Sequence, residues 1–190
     1  MARCLPSCRS FRPCCVPGCP YQGDVQLGVD NRAGRDYDMD ITDNDVIGGR
    51  GRARMGVGND AGRDNRGRIY QNSIQDSDSN VDIGVGNTAG RDSNMQVFRN
   101  QVRGGRSGAN VRVGAANDAG QDNNMRIYCN NVDDATDNVD IGVGNSAGRD
   151  NYMEIENNYV RGGAGGVRMG VGNQAGRDNR GRVAGNRVIR

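Results

Sequence analysis

One nine-residue motif returns six times between Gly28 and the C-terminus, and that recurrence leaves the chain very few architectures. The copies read GVDNRAGRD from Gly28, GVGNDAGRD from Gly56, GVGNTAGRD from Gly84, GAANDAGQD from Gly114, GVGNSAGRD from Gly142 and GVGNQAGRD from Gly170. Their central alanines, Ala33, Ala61, Ala89, Ala119, Ala147 and Ala175, lie 28, 28, 30, 28 and 28 residues apart. A fixed period of this size marks a solenoid, in which each unit buries its apolar face only by stacking on the next. Function then becomes a question about a rod and its surfaces rather than about a pocket.

Composition fits a thin, shared core. Apolar residues make up only 34% of the 190, glycines number 31, and Trp and His are absent. Disordered chains can look similar, but disorder does not require Asn or Gly at fixed offsets. All 25 basic residues are Arg, which pairs with carboxylates through a planar fork and suits fixed ion-pair ladders. A net charge of +2 argues against general polyanion binding, so no nucleic-acid partner is expected.

Counting from the central Ala as zero, positions −8, −6 and −4 are apolar in every copy, from Val25, Leu27 and Val29 to Val167, Met169 and Val171. This period-two alternation predicts a strand with one face buried. Gly at −5 in all copies points to tight packing or a strained backbone. A second strand is predicted around +8 (Ile41, Ile69, Val97, Ile127, Ile155, Val183), with a further apolar position at +13 ending in Val188. The expectation is an all-β, single-chain parallel β-solenoid of six coils of about 28 residues with two main strands per coil. It would occupy residues 24–190 behind an extended Cys-rich arm at 1–23.

Asn recurs at −2 (Asn31, Asn59, Asn87, Asn117, Asn145, Asn173) and at +11 (Asn44, Asn72, Asn100, Asn130, Asn158, Asn186). Asn tolerates left-handed turns, and stacked at one rung spacing its amides can bond in a ladder; both readings are structural. Charges choose between one coil per repeat and one per half-repeat. Position −7 runs Gln26, Arg54, Asp82, Arg112, Asp140, Arg168, and +7 runs Asp40, Arg68, Gln96, Arg126, Glu154, Arg182. Merging the two columns would make neighbours of Arg54 and Arg68, or of Asp140 and Glu154, which destabilises a sheet. One coil per repeat is the outcome. The loops after +13 alternate basic and acidic, and Tyr70, Phe98 and Tyr128 at +9 form an outward aromatic stack.

At the ends, the first strand begins at Val25 and the last apolar residues are Val188 and Ile189, with no polar cap evident in the sequence. The expected stacking interface comprises Val25, Leu27, Val29, Val183, Val188 and Ile189. At about 4.8 Å per coil, each subunit in a head-to-tail filament would add roughly 29 Å. Residues 1–23 hold Cys4, Cys8, Cys14, Cys15 and Cys19 among four prolines. Disulfides between subunits, zinc or intra-arm pairing, and free thiols all fit this spacing; Cys129 at +10 is a candidate acceptor for a neighbour's arm.

The unit Ile-Gly-Val-Gly-Asn-x-Ala-Gly-Arg-Asp, seen from Ile83 and Ile141, resembles the Ile-Gly-x-x-Ala-Gly-x-x-Asn repeats in the heads of trimeric bacterial adhesins and in phage tail fibres. The resemblance implies a β-solenoid. The layout of a short Cys-rich arm before a β-rich body is also similar to bacterial spore-appendage subunits, which implies arms that cross-link neighbours by disulfides.

Other chemistries fit less well. GVGND at Gly56 is like the calcium-binding nonapeptide, but those motifs run in tandem every nine residues. The column Asp36, Asp64, Asp92, Asp122, Asp150, Asp178 could attract calcium, yet Arg or Gln precedes each member, so ion pairing or turn capping is the simpler account. The glycine spacing of a dinucleotide loop is wrong, and the absence of His counts against an enzyme. No cofactor or resident metal is expected. The reading is a structural, self-assembling filament subunit at an extracellular or spore surface. Its chief partner is itself, a surface anchor protein is a second candidate, and neither membrane insertion nor a standard signal peptide is foreseen. An adhesin-like or fibre-tip binding rod is the runner-up; a calcium-dependent matrix protein is a weaker third.

Overall fold

A computed structural model describes residues 24–49, 51–77, 79–103 and 109–189. Cys4, Cys8, Cys14, Cys15 and Cys19, residues 104–108 and Arg190 lie outside the described residues. Where the chain is described it is a parallel β-solenoid of six coils. Each coil carries four strands where the sequence indicated two. In coil 3 these are Val81–Ile83, Thr88–Ala89, Asp92–Phe98 and Gln101–Arg103. Equivalent strands stack into four six-stranded sheets, and every pairing is parallel and between adjacent coils. The short strand at the central Ala, only two residues long, is too brief to show as alternation in the sequence.

Register follows the predicted columns. Gln26 faces Arg54, Arg54 faces Asp82, Asp82 faces Arg112, Arg112 faces Asp140, and Asp140 faces Arg168. The one 30-residue spacing does not disturb it, because Val81 still pairs with Val111 and Val102 with Val132. Its two additional residues therefore fall in the sequence between Arg103, which pairs with Asp133, and Val111.

The alternation read through −8, −6 and −4 is broken in space. Gly at −5 adopts φ of +59° to +65° in all six coils and turns the chain out of the first strand. Positions −8 and −6 join the main core with +6, +8 and +13, as in Val81, Ile83, Met95, Val97 and Val102. Position −4 packs separately, with Val57, Val85 and Ala115 forming a small second cluster beside Val29. A Cβ on Gly142 would sit 2.5 Å from Ile155 Cδ1 and 2.7 Å from Met153 Sδ, so both φ and space demand glycine there. The glycine after the central Ala has another reason: a Cβ on Gly120 would run into the carbonyl oxygen of Gly90 one coil below.

Candidate functional site

The surfaces available for function are the ladders along the rod and the faces of its first and last coils. The Asn ladders form as dense polar rows inside the coil. Asn117, fully buried, accepts from the backbone N–H of Asn87 at 2.9 Å and from its amide at 2.9 Å. Its own amide donates to Asn145 Oδ1 at 3.1 Å and to the Gly84 carbonyl at 2.9 Å. Asn130 repeats the pattern at +11, accepting from Asn100 and donating to Asn158 and to the Val97 carbonyl. Each interior asparagine thus ties its own coil to both neighbours.

The left-handed reading of these asparagines is corrected. Positive φ falls at −5, at −3 (Asp30, Gly58, Gly86, Ala116, Gly144, Gly172) and at +10 (Asp43, Gln71, Arg99, Cys129, Asn157, Gly185), and at none of the −2 or +11 asparagines. A buried amide needs all its hydrogen bonds met, which holds it in the ladder, while the preceding residue takes the turn. Cys129 is one of those turn residues, at φ +55°, with an exposed thiol.

The outer charge ladder resolves into pairs. Arg112 grips Asp82 with both fork nitrogens at 2.7 and 3.0 Å, and Arg168 grips Asp140 at 2.7 and 2.7 Å. Arg54 leans instead toward Asp30 at 3.7 Å. The hydrogen bonds Arg112 donates to Asp82 raise its pKa despite an opposing desolvation effect, and those Arg168 donates to Asp140 do the same for it. On the third-strand sheet, Arg68 meets Asp40 at 3.1 Å and Arg126 meets Glu154 at 3.2 Å. The complementary loops also touch, with Arg161 at 3.3 Å from both Asp133 and Asp134. Tyr70, Phe98 and Tyr128 stack at 4.8 Å between ring centroids, within 3° of parallel, so they cover each other's faces and leave edges outward.

The Asp column pairs weakly with its arginines, Arg91 to Asp92 at 3.7 Å and Arg149 to Asp150 at 3.8 Å. Among the described residues no group of three or more Cys, Asp or Glu converges to hold a metal ion, so the calcium reading gains no site. A further polar row escaped the sequence reading. Asn65, Ser93, Asn123 and Asn151 at +4 are buried, and Asn65 and Asn123 have no hydrogen-bond partner on either side-chain amide atom. Its signal was there: a small polar residue at +4 in five of the six copies.

The end faces differ. In coil 1, Val25, Leu27 and Val29 are half-buried while Met39 and Ile41 are buried. In coil 6, Val171 and Val183 are each 51% exposed and Val188 is 44% exposed, although their counterparts Val85, Val97 and Val102 are 5%, 0% and 2% exposed. Ile189 is half-buried. A hollow of about 270 Å³ lies over coil 6, lined by Met153, Gly170, Asn173, Gly181 and Val183 among others.

These features define the class of protein, a single-chain β-solenoid with amide and charge ladders along its axis. No protein-family model matches the sequence, and comparison with curated proteins and with solved structures finds no match either.

Proposed function

We propose that this chain is the structural subunit of a self-assembling filament at an extracellular, cell or spore surface, built by stacking solenoids head to tail. The observation that carries the reading is the uncovered core of coil 6, where Val183 and Val188, at positions sealed in every interior coil, lie about half open. A soluble rod gains by covering such a face, and a face built from strands with unpaired edges accepts another strand layer most readily. Stacking one subunit on another makes a heterologous contact, which repeats without closing. Covalent locking through Cys4, Cys8, Cys14, Cys15 and Cys19, with the exposed Cys129 as an acceptor, belongs to the same proposal.

Negative-stain electron microscopy of the purified chain tests it. The expected result is long fibres with an axial repeat near 29 Å, about six rungs of 4.8 Å. Replacing the five arm cysteines by Ser should leave fibres that shorten or fray. Discrete single rods at all concentrations would refute the filament and favour the binding-rod alternative.

A further inference from the structure

We infer that the face of coil 6 is a specific socket for coil 1 of a second copy, in a single register and polarity set by complementary residues on these two coils. This inference rests on the filament reading and adds the chemistry of its joint.

The solenoid's own stacking rule defines what would meet: each residue of coil 6 lies over the residue of the same repeat position in the next chain's coil 1. At +5, Arg180 meets Asp38; at +7, Arg182 meets Asp40; at +12, Arg187 meets Asp45. All six are exposed. Between the ends, the +12 column is uncharged, running Ser73, Gln101, Asn131 and Tyr159, so its acidic first and basic last members do not serve the interior stack. Coil 1 already shows that the match works, since Asp40 takes Arg68 of coil 2 at 3.1 Å.

Position +14 repeats the lesson with apolar chemistry. Its interior members are Gln75, Arg103, Asp133 and Arg161, whereas both terminal members are isoleucine. Ile47 is 64% exposed on the flank of coil 1, and Ile189 occupies the same position on coil 6. An exposed isoleucine has no use in the isolated rod, but in this register the two cover each other.

The hollow supplies the fit in depth. Position +6 runs Met39, Gly67, Met95, Met125, Met153, Gly181. At Gly67 the missing side chain is filled from both sides, with Met39 Cε and Met95 Cε 3.2 and 3.4 Å from where its Cβ would be. At Gly181 nothing lies within 4 Å of that point. A second copy brings Met39 over Gly181, restoring the Met–Gly–Met order, and a flexible thioether is well suited to filling such a gap. The amide ladders give the joint its direction. From coil 1 to coil 5 each asparagine donates to the amide oxygen of the next, so Asn173 and Asn186 end the ladders on the donor side. Asn31 and Asn44 open them on the side that receives.

The test uses full-length chains with one face reversed. One variant carries Arg180→Asp and Arg187→Asp, the other Asp38→Arg and Asp45→Arg; fibre formation is followed by light scattering and electron microscopy. Alone, each should need roughly tenfold more protein than wild type to assemble, because attraction becomes repulsion at two exposed pairs. Mixed in equal amounts, they should copolymerise at close to the wild-type concentration, since Asp then meets Arg at every joint. Either variant assembling alone like wild type, or two folded variants that stay unassembled when mixed, overturns the joint while wild-type fibres keep the filament reading intact. A wild-type chain that forms no fibres removes both. Ile47→Ser tests the same joint without touching a charge or a core residue. It should raise the assembly concentration severalfold at an unchanged melting temperature, and an unchanged assembly concentration counts against the socket.

Discussion

Removing one amide from the middle of a ladder should cost more than its size implies. In Asn117→Ala, three groups lose their partners: the Asn87 backbone N–H, one Asn87 amide hydrogen and the Gly84 carbonyl oxygen. Asn145 Oδ1 keeps the Asn117 backbone N–H at 3.0 Å. A buried polar group left unpaired costs about 1–3 kcal/mol. Taking the low end for each, because neighbouring coils can relax, gives about 3 kcal/mol, or roughly 6–12 °C in melting temperature for a chain of this length. The assay is guanidinium unfolding followed by circular dichroism, with Asn94→Ala as control, since Asn94 is the same residue type exposed on the rod's surface. The control should change stability by no more than about 0.5 kcal/mol. Equal unfolding midpoints for the two variants would refute the claim that the ladders carry the stack. Asn117→Asp sharpens the test: it keeps the acceptor for Asn87 but turns a donor edge into a charged acceptor facing a carbonyl. Its loss at neutral pH should exceed that of the alanine variant and diminish on acidification.

Gly142→Ala should lose at least about 2 kcal/mol in the same unfolding assay, from left-handed strain added to contact with Ile155; a loss under about 0.5 kcal/mol would mean the turn is not where the backbone places it. Asn123→Val removes a buried amide whose two polar atoms have no partner in the protein, so it should be neutral or stabilising, in contrast to every ladder asparagine. Arg112→Ala leaves the Asp82 carboxylate buried and unpaired and should destabilise by about 2 kcal/mol, after discounting for the exposure of the arginine itself. Burial raises the Tyr37 phenol above the usual tyrosine range, only partly offset by its hydrogen bond with Asn31. The neutral form is thus favoured in the folded state, and that contribution, intact below the unfolded value near 10, is lost as pH rises through the folded one. Thermal melts across alkaline pH should show the decline, and Tyr37→Phe should flatten it.

The motif spacing determined the architecture without any contact being known. A period of 28 residues, apolar rows in phase with it and charge columns that alternate only at full-repeat stacking leave one coil per repeat as the single consistent answer. The sequence also singled out the asparagines, the −5 glycines and the loop charges, because each recurs at one offset. Tertiary structure decided what a periodic string cannot encode. Which residue takes a left-handed turn depended on which amide found partners a coil away, so the turn moved from Asn130 to Cys129. The apparent single strand from −8 to −4 divided at a glycine, sending Val85 to a different cluster from Val81 and Ile83. The Arg–Asp column became separate pairs because the forks of Arg112 and Arg168 each close on both oxygens of one carboxylate. Facing is written locally, in neighbours two residues apart, and the period in the returning motif, whereas which polar groups bond across 28 or 30 residues is settled only once the coils are stacked.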